Sequence, residues 1–278
     1  MSRDDRVDAG TGRDNLDGGP GDDVQGKMTG GEASLYGGTG NDLLDVSGTG
    51  GRVGLAGGPG GDHYRIGADS RRMAIVEFPR EGHDIVSTAR SLTVPLNIEE
   101  ARITTPKGAR LTGTEGAQRL VGGPRDDVLD GGGGGADRLD GRAGDDRLVL
   151  GDGDFDTTRG GPGADRFLVH DEPQTGPPLE GVPGPVSPTA HRIRDLRPKD
   201  GDRLILPRSS YGPEIAQAQL QTTRSTAPQA RLSGPTLLWD PARSLLRYDR
   251  DGSGPIASQL VAILEGKHKL PRQALQLG

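Results

Sequence analysis

The sequence predicts an all-β chain of thin stacked coils, and three observations carry that reading. Glycine supplies 48 of the 278 residues, against ~7% in an average protein. Large apolar side chains are scarce, with three Phe, one Trp, four Tyr and three Met, too few for a thick core. Glycine and aspartate also recur with a nine-residue period. Gly37–Asp45 reads GGTGNDLLD, Gly57–Arg65 GGPGGDHYR, Gly132–Asp140 GGGGADRLD and Gly160–Leu168 GGPGADRFL.

Each copy has the form G-G-x-G-x-D-x-U-x, where U is a large apolar residue. The glycines permit positive φ, so the first six positions can form a tight turn with inward carbonyls. The last three form a short strand in which only U faces the interior, because side chains alternate. Two such units, about 18 residues, complete one coil. A flexible glycine–aspartate linker is the alternative, and the fixed places of Asp and U argue against it.

The copies fall into two blocks. In the first, Asp14 and Leu16 mark a degenerate copy and Asp23 a second. A decayed copy follows from Gly30, then the copy with Asp42 and Leu44, another decayed one near Leu55, and the copy with Asp62 and Tyr64. In the second block the sixth positions are Gln118, Asp127, Asp137, Asp146, Asp156 and Asp165. Its U residues are Leu120, Leu129, Leu139, Leu148 and Phe167, with Thr158 a weak substitute. Stacking predicts one row of Asp127, Asp146 and Asp165, and a second of Asp137 and Asp156 begun by Gln118. In the first block Asp23, Asp42 and Asp62 share an edge. The opposite edge has Asp14 and then loses its Asp near Leu35 and Arg52.

These repeats resemble the RTX (repeats-in-toxin) haemolysin-type nonapeptide. The resemblance implies a right-handed parallel β-roll in two blocks of stacked coils, with a C-terminal β-rich cap. It implies several Ca2+ ions between stacked turns. The implied ligands are Asp14, Asp23, Asp42, Asp62, Asp127, Asp137, Asp146, Asp156 and Asp165. With them go the backbone of Gly19, Gly21, Gly38, Gly40, Gly58, Gly60, Gly123, Gly133, Gly135, Gly144, Gly161 and Gly163. Residues 1–66 form the first block, 67–112 a connecting strand-rich segment, 113–170 the second block, 171–190 a proline-rich loop and 191–278 a capping, export-like region.

The last region is similar to the C-terminal part of serralysin-type proteins. HRIRDLRPKDGDRLIL matches a strand–turn–strand leaving the roll, and LLRYDRDGSGPIASQLVAILEG a hairpin followed by a strand. That likeness implies type I export machinery as a partner, an uncleaved C-terminal export signal, and an extracellular or cell-surface location. Residues 209–234 depart from the pattern, and the ending LPRQALQLG lacks the family's Asp-then-apolar tip.

Charge and donor chemistry fit this picture. The chain has 30 Asp but 10 Glu, a net charge of −6 and a pI near 5.4, which argues against nucleic acid. Carboxylates and carbonyls without any cysteine suit calcium better than softer metals. Stacked carboxylates repel and the core is thin, so an unfolded apo state is expected. The N-terminus MSRDDRVDAG has no apolar signal-peptide core, and no run is long enough for a transmembrane segment.

No catalytic site is expected. The motifs H-E-x-x-H and G-x-S-x-G are absent, and the histidines are scattered. His170-Asp171-Glu172 is the most enzyme-like cluster, at the mouth of the proline-rich stretch. Asp249, Asp251, Ser253 and Gly254 imitate an EF-hand start, but Leu260 stands where a bidentate Glu is required, so a hairpin turn is favoured. Arg119, Arg138, Arg147 and Arg166 should point outward, either pairing with Asp130 and Asp140 or meeting an acidic polysaccharide. Three readings remain: a non-catalytic calcium-folded exported module, part of a polysaccharide-active or proteolytic enzyme, or a self-associating surface protein.

Overall fold

The structure is a computed structural model and describes residues 4–28, 31–47, 51–70, 72–151, 155–170, 190–222, 234–250, 259–266 and 269–278. Short strands alternate with glycine turns, and parallel pairing closes them into a right-handed β-roll of about 10 turns. One long face runs unbroken through Arg6–Gly10, Val24–Met28, Leu43–Val46, His63–Ile66, Ile85–Thr88, Glu100–Ile103, Arg119–Val121, Arg138–Asp140, Thr157–Arg159 and His191–Ile193.

The opposite face comes in two pieces. The first stacks Arg13–Pro20, Glu32–Thr39, Arg52–Ala56 and Arg72–Ile75. The second stacks Leu92–Thr93, Arg110–Thr112, Val128–Asp130, Arg147–Leu150, Arg166–Val169, Arg203–Leu206 and Leu275–Leu277. Residues between the two repeat blocks therefore add strands to the same long face.

The register explains how few apolar residues suffice. On the long face Leu44, Tyr64, Val86, Ala101, Leu120, Leu139, Thr158 and Ile193 form one continuous inward column. Facing it, Leu111, Leu129, Leu148, Phe167, Leu204 and Leu275 form another. Nearly all are fully buried, so each coil contributes one or two side chains per face to a narrow core, as in Leu148 and Leu150 or Phe167 and Val169. Truncating any of these leucines to Ala costs about 2–5 kcal/mol. Thr158, the weak substitute, is as buried as its neighbours.

After the second block the cap continues this stacking and then turns antiparallel. His191–Ile193 and Arg203–Leu206 extend the two faces. Gln259–Leu264 and Leu275–Leu277 then add parallel strands to each. Thr236–Asp240 and Leu245–Asp249 form the antiparallel hairpin, closed at Ser244 with φ 59°. The expected hairpin is also present, since LLRYD pairs antiparallel with QLVAIL as well as with TLLWD, and TLLWD adds a strand before it. Residues 208–222 supply a short helix Arg208–Tyr211, a 3-10 turn Pro213–Gln217 and an edge strand Gln219–Thr222. The proline-rich segment 171–189 and Asp251–Gly254 lie outside the described residues.

Candidate metal centre

The sixth-position carboxylates form hydrogen-bonded rows along the edges of the roll. On the long-face edge the Asp23 N–H donates to Asp42 Oδ1 at 2.7 Å, Asp42 N–H to Asp62 Oδ1 at 2.7 Å, and Asp62 N–H to Asp84 Oδ1 at 2.8 Å. Higher up, Gln118 N–H donates to Asp137 Oδ1 at 2.7 Å and Asp137 N–H to Asp156 Oδ1 at 3.0 Å. On the other edge Asp127 N–H reaches Asp146 Oδ1 at 2.8 Å, Asp146 reaches Asp165 at 3.0 Å, and Asp165 reaches Asp202 at 3.0 Å. One oxygen of each carboxylate is thereby occupied by the backbone of the preceding coil.

The second oxygen decides the chemistry. Oδ2 of Asp23, Asp42, Asp62, Asp146, Asp156 and Asp165 is buried and has no hydrogen-bond partner. An orphaned buried carboxylate oxygen is costly unless a cation answers it. Burial pushes Asp62, Asp137, Asp146 and Asp165 up to about 7, the backbone donors opposing that rise. Asp42, Asp84, Asp127 and Asp202 are raised for the same first cause.

The orphaned oxygens meet backbone carbonyls from the next coil beneath the first glycine of each turn. A Cβ on Gly37 would lie 2.3 Å from Asp42 Oδ2 and 2.7 Å from the Gly57 carbonyl. On Gly141 it would lie 2.4 Å from Asp146 Oδ2 and 2.6 Å from the Gly160 carbonyl. Gly18, beside Asp23 Oδ2 and the Gly37 carbonyl, repeats the arrangement. Carboxylate and carbonyl oxygens converging in a buried turn fit a hard cation of the calcium class. The rows and these first-glycine carbonyls are the residues that would hold it, and the ion would supply charge neutralisation between coils.

The second and fourth glycines serve the turn itself. Gly38 and Gly40 have φ of 114° and 133°, and a Cβ on either would meet the carbonyl of Gly19 or Gly21 at about 2 Å, namely 1.9 and 2.0 Å. Gly19, Gly21, Gly58, Gly60, Gly135, Gly144, Gly161 and Gly163 are also left-handed.

Three of the expected positions sit differently from the other copies. Gly123 and Gly133 are not left-handed; Gly132 and Gly134 are, beside Gly135. The reason is a one-residue shift: Gly131, not Gly132, is the first glycine over Asp137 Oδ2, and the five-glycine run absorbs the extra residue. Asp14 joins no row, since its strand sets it opposite Ala33, which pairs with Val53. Its Oδ2 is nevertheless buried without a partner.

Sequence reasoning missed several members. Asp84 and Asp202 extend the rows, and both precede an x-apolar pair, in HDIV and GDRL, a signal that the missing glycines masked. Glu99 Oε2 accepts the Asp84 N–H at 2.8 Å. His191 Nδ1 accepts the Asp156 N–H at 3.2 Å, the place an aspartate takes elsewhere. His170 Nδ1 lies 3.4 Å from Ser210 Oγ, longer than a nucleophile–base contact.

The four predicted outward arginines are exposed, and Arg119 pairs with Glu100 at 2.8 Å. No described helix is long and apolar enough to cross a membrane.

A family profile described as the RTX calcium-binding nonapeptide repeat matches the chain in four copies, over residues 1–24, 29–52, 112–148 and 132–154. None of the curated proteins matches the chain. The copies at Gly57–Arg65 and Gly160–Leu168 fall outside those ranges, yet their aspartates stand in the same rows.

Proposed function

We propose that this chain, which carries RTX calcium-binding nonapeptide repeats, is a non-catalytic module that folds on calcium after export. The carrying observation is the rows of buried Oδ2 atoms without partners. In low calcium these carboxylates oppose folding, and a thin core of one or two side chains per coil and face cannot offset the ordering entropy. Millimolar calcium outside the cell would remove that obstacle. An unfolded chain inside and a folded one outside suits a type I route read from the C-terminal region.

Circular dichroism during a calcium titration tests the reading. The expected result is a coil-like spectrum in chelator, a cooperative gain of β signal with calcium and little response to magnesium. Full β signal in chelator would sink it. Turnover of casein or alginate by the calcium-loaded chain would overturn the non-catalytic part.

A second reading concerns an external partner. Arg147, Arg166 and Arg203 lie in direct register on one face, a basic column suited to an acidic polysaccharide. Retention on an alginate column that falls with salt, and falls further in Arg166→Glu, supports it. Equal elution of both proteins at low salt refutes it.

A further inference from the structure

At the end of the first row a side chain from outside the repeats enters the site. Arg72–Ile75 pairs with Arg52–Ala56, with Leu55 opposite Ile75, and the Val76 N–H continues the pairing to the Leu55 carbonyl. That register sets Glu77 on Gly57, the first glycine of the turn that carries Asp62. Glu77 therefore stands where a repeat would have its first glycine, and it brings a carboxylate there instead of a hydrogen atom.

The group is held in place. Its Oε1 accepts the Gly57 N–H at 3.1 Å and the Tyr64 hydroxyl. Tyr64 is the inward U residue of its copy, and only a tyrosine there can both fill the core and reach a carboxylate. Glu77 Oε2 is buried and has no partner, like Asp62 Oδ2, in a side chain only 6% exposed. Asp62, Glu77 and Asp84 offer oxygens that all lie within 4.8 Å of one another. Ligands at 2.3–2.6 Å from a calcium ion can be no more than about 5 Å apart, so the cluster matches the span of one ion. Among the described residues no arginine or lysine forms an ion pair with any of the three.

We propose that Asp62, Glu77 and Asp84 form a three-carboxylate calcium site that closes the first row, with Tyr64 as its positioning residue. The site rests on the reading that the rows take calcium, and adds a ligand that the repeat pattern does not contain. Its third carboxylate makes it tighter than positions with two, so it fills at lower calcium than the rest of the row.

The test uses the full chain and terbium as a calcium substitute excited through tyrosine. Wild type should show sensitised emission that saturates early in the titration. Tyr64→Phe should keep the calcium-induced β signal and lose at least half of that emission. Glu77→Gln, nearly isosteric, should bind one calcium fewer by equilibrium dialysis and lose the early phase. If Glu77→Gln folds with calcium, binds as many ions as wild type and keeps the emission, this site is refuted while the row reading stands. If no variant binds calcium and wild type does not gain β structure, both readings fall together.

Discussion

Residues 4–66 and 113–170 coil in the same way but finish their edges by different means. In the second block both edges carry carboxylate rows, and the strands between them are brief, as in Val128–Asp130 and Arg138–Asp140. In the first block only the long-face edge has a row. On its other edge Arg13–Pro20 and Glu32–Thr39 run for 8 residues each. Gly19 pairs with Gly38 and Pro20 with Thr39, so these ladders run on into the turns that carry Asp23 and Asp42. Ladder hydrogen bonds, which need no ion, thus hold a larger share of the backbone in this block. Beside the edge that has no row the strands are longer, and dependence on the ion should fall with them.

The largest test of that contrast is calcium removal followed by hydrogen exchange. Amides of 119–169 should exchange at the rate of an unfolded chain in chelator, while those of 13–20 and 32–39 remain slower. Equal exchange in the two blocks would break the comparison. Next in size, Asp146→Ala removes the middle of a row and leaves its neighbours' charges stranded. In urea at saturating calcium it should cost about 3 kcal/mol. Asp14→Ala, outside any row, should cost under about 1 kcal/mol, and a reversed order would refute the row assignment.

A smaller effect separates two glycines of equivalent turns. Gly19→Ala meets nothing within 4 Å and bears only the left-handed strain of φ 87°, about 1–2 kcal/mol. Gly38→Ala bears the same strain and also collides with the Gly19 carbonyl, which adds about 1–3 kcal/mol. Matched urea midpoints for the pair would show that the coils are not stacked this closely.

The last test is on pH. Burial raises Asp137, Asp146 and Asp165 to about 7 in the folded chain, against about 4 unfolded. The folded state then holds these protons more firmly. Without calcium, its stability grows as pH falls from about 7 towards 4 and is lost as pH rises through 7. Residual β signal in chelator should be greater at pH 5 than at pH 8. The opposite trend would show that these carboxylates are not buried together.

The repeats made most of this legible. Glycine spacing, the inward U residues and the stacking partners of Asp127, Asp146 and Asp165 follow from a period and an alternation, both of which are local. The rest depends on what lies one coil away. Glu77 looks like an ordinary residue in IVEFP until the register sets it on Gly57. Gly131 rather than Gly132 begins its turn because the neighbouring coils hold the strand in place, and a run of identical glycines cannot announce its own register. His191 completes a row only because the chain returns to the long face after the proline-rich segment.

The row hydrogen bonds all point one way. Each carboxylate receives the N–H of the coil before it, so every coil is finished by its C-terminal neighbour, and the last donors, on Asp156 and Asp165, end on His191 and Asp202 of the cap. The ladder bonds run the other way, as from Leu43 N–H to the Asp23 carbonyl and from Arg147 N–H to the Asp127 carbonyl, so neighbouring coils are tied in both directions at each row position. What differs between the two edges of a partly formed roll is chemical: the edge facing the N-terminus exposes the row carboxylates, and the edge facing the C-terminus exposes the N–H groups that would bind them.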